Sequence, residues 1–203
     1  MKDKDLIEKD TYRHILNIYY IVDTSEAMHG ECMDFINNQL MPELVNIIAE
    51  QYDLYEDEVN VRENALCFSS GSEWMYNTPL TSSDFKWIPR RAGGLSDLGH
   101  ACESLDKCLR DVADFYSTQV GQYPPVVILI SHGEPTDDFE KGYRKLSENK
   151  WFRSAMKIAI PVGTGVDNKV LCKFVGELAA SEAVILPSDA FCIKSLVPPI
   201  ICD

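Results

Sequence analysis

The sequence predicts an α/β fold, doubly wound, with a mostly parallel six-stranded sheet, one antiparallel edge strand and helices on both faces. Three observations predict it. Apolar runs such as Ile15–Val22 and Val126–Ile130 lack strict alternation, as strands covered on both faces do. Stretches with helical spacing separate the runs, so strands and helices alternate from start to finish. The runs end in polar clusters, Asp23-Thr24-Ser25 and Ser131-His132-Gly133, as strands do where they deliver side chains to the carboxyl edge of a sheet.

In order, Ile15–Val22 is the first strand. Glu31–Glu50 places Phe35, Ile36, Leu40, Leu44, Ile47 and Ile48 at helical spacing, with Pro42 predicting a kink or a break. Val59–Phe68 reads as a strand, and Ser69-Ser70-Gly71-Ser72 as a turn into a short antiparallel partner at Glu73–Tyr76. Thr78–Arg91 is mainly loop, with a brief extended piece at Phe85–Ile88. Gly93-Gly94-Leu95-Ser96-Asp97 punctuates the chain before a helix at Leu98–Tyr116 that carries one apolar stripe. Val126–Ile130, the most hydrophobic run, is a central strand. A helix at Asp138–Asn149 is continued by Trp151–Ser154, and a strand follows at Met156–Pro161. Asp167–Glu177 is helical, Ala183–Leu186 strand-like and Phe191–Val197 a final short helix.

The 203 residues suit a lead-in over 1–14 and a single domain over 15–203. A composition of 45% hydrophobic and 25% charged residues is that of a globular protein. The net charge of −13 argues against nucleic acid, whose phosphates need a basic face, and against anionic membrane surfaces. No stretch reaches the roughly 18 apolar residues of a membrane helix. The amino terminus, MKDKDLIEKD, lacks an apolar signal region. Seven cysteines without a CxxC pair read as core residues of a reduced, cytoplasmic protein.

Loops carrying Asp23, Ser96 and His132 are expected to converge at the switch point of such a sheet. Simpler roles stand beside that one. Asp23, Ser25, Ser96 and Asp97 all suit helix N-caps, and His132 suits a hydrogen bond to a neighbouring loop. His29 and His100 suit solvent or local packing. Glu134-Pro135-Thr136-Asp137-Asp138 reads as a turn into an N-cap.

The segments IYYIVDTSEAMHGE, RRAGGLSDLGHAC, PPVVILISHGEPTDDF and WFRSAMKIAIPVGTGVDNKVLCKF resemble, in order, those of the TerY-like branch of the von Willebrand factor A family. That branch is linked with bacterial tellurite and stress resistance. Its segments are of DTSGSM, GGT-[AD]-LG, TDGEPTDD and AVGxG type, and the resemblance runs from about Ile15 to near the C-terminus. It implies a metal-ion-dependent adhesion site, or MIDAS, for Mg²⁺ or Mn²⁺, completed by an acidic group from a partner. Asp23, Ser25 and Ser96 fall on ligand positions. Ala27 and His132 depart from the pattern, which marks the site as degenerate. Water replaces a lost hydroxyl ligand readily, but a neutral imidazole suits Mg²⁺ poorly and Mn²⁺ or Zn²⁺ better. Weak or absent metal binding is the expectation.

The resemblance further implies a non-enzymatic adaptor in a bacterial stress or signalling system. Its partners would be a Ser/Thr protein kinase and a PP2C-type phosphatase, met by the edge loops through Glu26, Asp97, His132 and Glu134. No G-x-S-x-G and no phosphate-cradling G-x-x-x-x-G-K-[ST] is present. An alternative is a Mg²⁺-dependent phosphotransferase or phosphatase using Asp23, although Ser25 stands where such enzymes carry a second Asp. A self-assembling structural domain is the other alternative.

Overall fold

The computed structural model describes residues 14–53, 59–116, 121–176 and Val184. The lead-in expected over 1–14 lies outside them except for His14, as does the helix expected at Phe191–Val197. β1 (His14–Asp23), β2 (Val59–Ser69), β3 (Gly71–Trp74), β4 (Leu80–Thr81), β5 (Val126–Ser131) and β6 (Met156–Pro161) form one sheet in the order β3-β2-β1-β5-β6, with β4 also on β2. β1 is parallel to β2 and β5, and β5 to β6. Val184 bridges Ala159 in parallel; the other residues of the strand expected at Ala183–Leu186 lie outside the described ones.

The antiparallel edge is broken in two. β3 pairs with the carboxyl-terminal end of β2, and β4 with Arg62 and Glu63 further back along the same edge. Between them the side chain of Asn64 takes over the ladder, donating to the Tyr76 carbonyl at 2.9 Å and accepting from its amide at 3.2 Å. The extended piece foreseen at Phe85–Ile88 joins no ladder. Phe85 is instead drawn into the core, stacked on Tyr20 with ring centres 5.7 Å apart.

β1 explains why its run is apolar on both faces, broken only by Asn17. Leu16, Ile18, Tyr20 and Val22 face one core, and Tyr19 and Ile21 face the other. On the first face lie α1 (Glu31–Phe35), a π-helical turn (Ile36–Leu40) and α2 (Met41–Asp53). The helix expected over this span neither breaks nor ends at Pro42. Pro42 has no amide to donate and its ring crowds the carbonyl four residues back, and the wider turn, closed by the Met41 amide on the Ile36 carbonyl, precedes it. On the second face lie α3 (Leu98–Tyr116), α4 (Phe139–Glu148), α5 (Lys150–Ser154) and α6 (Asn168–Val175). The connections flanking β1 therefore run on opposite faces, and the carboxyl ends of β1 and β5 form the switch point.

α3 and α4 touch backbone to backbone. A Cβ on Gly142 would lie 2.1 Å from the Gly99 carbonyl oxygen, so only glycine fits. Among the described cysteines, Cys67 and Cys102 are core residues as expected, but Cys32, Cys108 and Cys172 are only partly buried. Among the described residues no helix is long and apolar enough to cross a membrane.

Candidate functional site

Asp23 is the last residue of β1 and is fully buried. The chain turns sharply after it. The Thr24 amide donates to the Phe68 carbonyl at 2.8 Å, and the Ser25 amide donates to Asp23 Oδ1 at 2.9 Å. The other carboxylate oxygen, Oδ2, accepts from Ser131 Oγ at 2.8 Å and from Ser96 Oγ at 3.4 Å. One buried carboxylate thus gathers the β1 loop, the loop before α3 and the end of β5. The Ser131 hydroxyl in turn accepts from the Gly133 amide at 2.9 Å, which orients its proton toward Asp23. Ser25 is almost completely buried, and its Oγ has no hydrogen-bond partner in the described structure.

The loops are sewn together by their backbones. The Gly93 amide donates to the Thr24 carbonyl at 2.9 Å, and the Glu26 amide to the Gly94 carbonyl at 3.1 Å. Gly94 has a φ of +82° and lies against Ser70, whose Oγ would be 2.8 Å from a Cβ. The glycine pair therefore sets the height at which Ser96 meets Asp23.

Asp97 points the other way. Its Oδ2 accepts from the Gly71 amide at 2.7 Å and its Oδ1 from Thr136 Oγ1 at 3.4 Å, so it braces the β2–β3 turn against the β5 loop. The amides capping α3 are received by Asp137, from Gly99 at 2.9 Å and from His100 at 2.8 Å. Asp138 caps its own helix, α4, by accepting from Lys141 at 3.1 Å. Thr136 ties the same segment to Ser96, its amide donating to the Ser96 carbonyl at 2.8 Å and its Oγ1 accepting from the Ser96 amide at 2.8 Å. The GEPTDD run is the buckle of the site.

His132 is partly buried. Its Nε2 lies 3.0 Å from the Thr164 carbonyl, which can only accept, so Nε2 carries the proton. Nδ1 is 3.8 Å from Glu134 Oε2. His132 therefore joins the β5 loop to the β6–α6 loop, the neighbouring-loop role foreseen beside its placement at the site. Glu26, Ala27 and Glu134 are exposed on the rim, together with Leu95, one of the large apolar side chains left in solvent.

The structure thus brings Asp23, Ser25 and Ser96 together, and adds Ser131, which sequence reasoning passed over. Its signal was available: it is the one hydroxyl closing the buried run of β5. Among the described residues no three His, Cys, Asp or Glu side chains are grouped as a metal cage would require. The donor set is one carboxylate with hydroxyls around it, hard oxygen throughout.

No family model matches the chain, and no curated protein matches it. Solved structures do. The manganese-loaded TRAP protein of Plasmodium vivax superposes with a TM-score of 0.60 at 15% identity, over 93% of this chain and 74% of that one. Proximal thread matrix protein 1 from the mussel byssus, with a zinc-occupied MIDAS motif, gives 0.59 at 17% identity, over 91% and 47%. A von Willebrand factor type A protein from Catenulispora acidiphila gives 0.54 at 14%, over 91% and 42%. The chain spans less than half the length of the byssus and Catenulispora chains. At these identities the likeness is one of fold, and that fold is the von Willebrand factor A fold.

Proposed function

We propose that this von Willebrand A fold serves as a protein-binding module, engaging its partner through the loops around Asp23, with a weakened site for a divalent cation. The observation that carries the reading is the buried Asp23 carboxylate drawing Ser96 and Ser131 together from separate loops, beside a Ser25 hydroxyl that no group satisfies. An orphaned hydroxyl next to a buried carboxylate fits a hard cation. Asp23, Ser25 and Ser96 would hold it, and Mg²⁺ or Mn²⁺ would supply a Lewis-acidic anchor for an acidic side chain of the partner.

The same residues explain why the site is weak. Ala27 offers no oxygen, and His132 spends its Nε2 proton on Thr164. With a single carboxylate near the centre, the charge available to attract a dication is small. The rim supplies the rest of the contact, Leu95 as an apolar anchor with the exposed Glu26 and Glu134 and the partly buried His132, while Asp97, expected there too, is held by Gly71 and Thr136. A fully buried Asp23 whose two oxygens both accept hydrogen bonds is poorly placed to attack phosphorus, which favours binding over phosphoryl transfer.

The TerY-like motifs support a cytoplasmic role in a bacterial stress or signalling system, tellurite resistance included, with a Ser/Thr kinase and a PP2C-type phosphatase as partners. The test is purification of the tagged chain from its native host, one lysate being split between Mg²⁺ and EDTA. Recovery of a kinase or phosphatase in both halves is expected, because the weakened site contributes little to the contact. Recovery only with Mg²⁺ would show a working metal bridge. Recovery in neither overturns the adaptor reading.

A further inference from the structure

The segment 86–95, which brings Ser96 to the site, runs from the edge of the sheet to the loops without joining any strand. Among the described residues, no backbone-to-backbone hydrogen bond holds its stretch 86–92. Irregular backbone of this kind must find its partners among side chains or water. The Tyr76 hydroxyl donates to the Lys86 carbonyl at 2.7 Å, and the Met75 sulfur, a weak acceptor, receives the Ile88 amide at 3.5 Å.

Asn37 contributes more. Its Nδ2 donates to the Arg90 carbonyl at 2.8 Å and its Oδ1 accepts from the Arg90 amide at 2.9 Å. One carboxamide thus pairs with both backbone groups of Arg90, as a neighbouring strand would. Oδ1 also accepts from the Trp87 indole at 3.1 Å, so both of its lone pairs are occupied by this segment. Asn37 is half-buried and lies in the π-helical turn, a widened turn of the kind that recurs at functional sites.

Two paths along the chain lead from this contact to Asp23. Backward from Asn37, α1 starts at Glu31, directly after the β1 loop that carries Asp23 and Ser25. Forward from Arg90, the Gly93 amide meets the Thr24 carbonyl and the Gly94 carbonyl receives the Glu26 amide, just before Ser96. Asn37 therefore closes a ring around the site. A slip of one residue moves an extended chain by about 3.3 Å. Ser96 Oγ already stands 3.4 Å from Asp23 Oδ2, so such a slip would take it out of reach.

We propose that Asn37 is a positioning residue of the Asp23 site, fixing the segment that carries Asp23 and Ser25 relative to the one that carries Ser96. The role rests on the reading of that site as a binding site.

The test is amide hydrogen exchange of the full chain, followed by NMR in the parent, Asn37→Leu, Asn37→Asp and the control Asn38→Leu. Leu suits a helix and removes all three bonds, whereas Asp keeps the acceptor and loses the donor. Asn38 lies in the same turn but donates to the Asp34 carbonyl. In Asn37→Leu the protection of the Gly93 and Glu26 amides is expected to fall at least about tenfold, the scale of the hydrogen bonds lost. The Leu129 amide in β5 keeps its protection. Asn37→Asp lowers the same two amides by less, and Asn38→Leu leaves them unchanged. No fall, a uniform fall across the chain, or the same fall in Asn38→Leu overturns the proposal. A second readout is Mn²⁺ affinity in the chain carrying Ala27→Ser and His132→Asp. Adding Asn37→Leu is expected to weaken it at least about tenfold by the same argument, and adding Asn38→Leu to leave it unchanged. Equal affinities with and without Asn37→Leu overturn the positioning role. If that chain takes no Mn²⁺, the reading of the site fails, and the exchange pattern still decides whether Asn37 sets its geometry.

Discussion

The hydroxyl of Tyr20 donates to the carboxylate of Glu63 at 2.5 Å, deep under the loop that follows β4, and Ser82 donates to the other carboxylate oxygen. Glu63 is fully buried, with no cation beside it among the described residues. Burial pushes its carboxyl up to about 7, while the hydroxyls of Ser82 and Tyr20 favour the charged form and restrain the rise. Burial likewise pushes the Tyr20 hydroxyl well above its ordinary range.

The pH dependence of stability follows from Glu63. Unfolded, the group ionises near 4.5, and folded near 7. Between those values the folded chain keeps a proton that the unfolded chain has released. Its contribution is complete below about pH 4.5, falls as pH rises to about 7 and then levels off. The fall is on the order of 3 kcal/mol. Urea denaturation of the parent and of Glu63→Gln at pH 5 and pH 7.5 isolates it, because other charges contribute to both. The variant is expected to lose less stability between the two pH values by about that amount; parallel losses would show that Glu63 ionises normally.

Asp137 stabilises a helix to which it does not belong. Removing its carboxylate frees the amides of Gly99 and His100 at the start of α3. Asp137→Ala is expected to lower the unfolding free energy by about 2 kcal/mol, the scale of hydrogen bonds to a charged acceptor. Asp138→Ala, which removes one bond to Lys141, is expected to cost about 1 kcal/mol. Chemical denaturation of both variants orders the two; a costlier Asp138 would contradict the assignment.

The crossing of α3 and α4 tolerates no side chain at Gly142. Gly142→Ala forces its Cβ onto the Gly99 carbonyl, and the helices must separate. A loss of about 3 kcal/mol or failure to fold is expected. Gly165→Ala, with a φ of +76° but open space around it, should cost only about 1 kcal/mol, from backbone strain alone. Thermal unfolding that ranks the two in the opposite order would rule out the close approach.

Metal affinity is expected to respond to the two altered positions. Restoring oxygen ligands with Ala27→Ser and His132→Asp together should tighten Mn²⁺ binding at least about tenfold over the parent, since a carboxylate and a hydroxyl suit a hard cation. Asp23→Ala in that background should abolish it. The electron paramagnetic resonance signal of free Mn²⁺ reads both. Equal affinities in parent and double variant would place any cation away from Asp23.

Much of this was legible in the sequence because the underlying physics is local. β1, broken only by Asn17, and β5 announce themselves by long apolar runs, since both faces of each are covered, and α3 by its stripe. Asp23 was legible because a polar cluster follows such a run. Other features depend on contacts distant in the chain. Glu63 looks like an ordinary polar residue of a half-exposed strand; only Tyr20, 43 residues away, and Ser82, 19 away, reveal it as buried. The capping of α3 by Asp137 spans 38 residues, so Asp97, the nearer candidate, was the natural reading. The π turn before Pro42 and the division of the edge into β3 and β4 depend on how the chain relieves local conflicts.

That divided edge also bears on how copies of the chain meet. An outer strand with a continuous row of free amides and carbonyls would invite a second copy to extend the sheet. Here the row is four residues, then the excursion through Asn77, Thr78 and Pro79, then two residues. A neighbouring strand would find no unbroken ladder to pair with, and Pro79 has no amide to give. This side of the molecule is thereby guarded against fibril-like growth, so self-association across it must rely on side-chain surfaces.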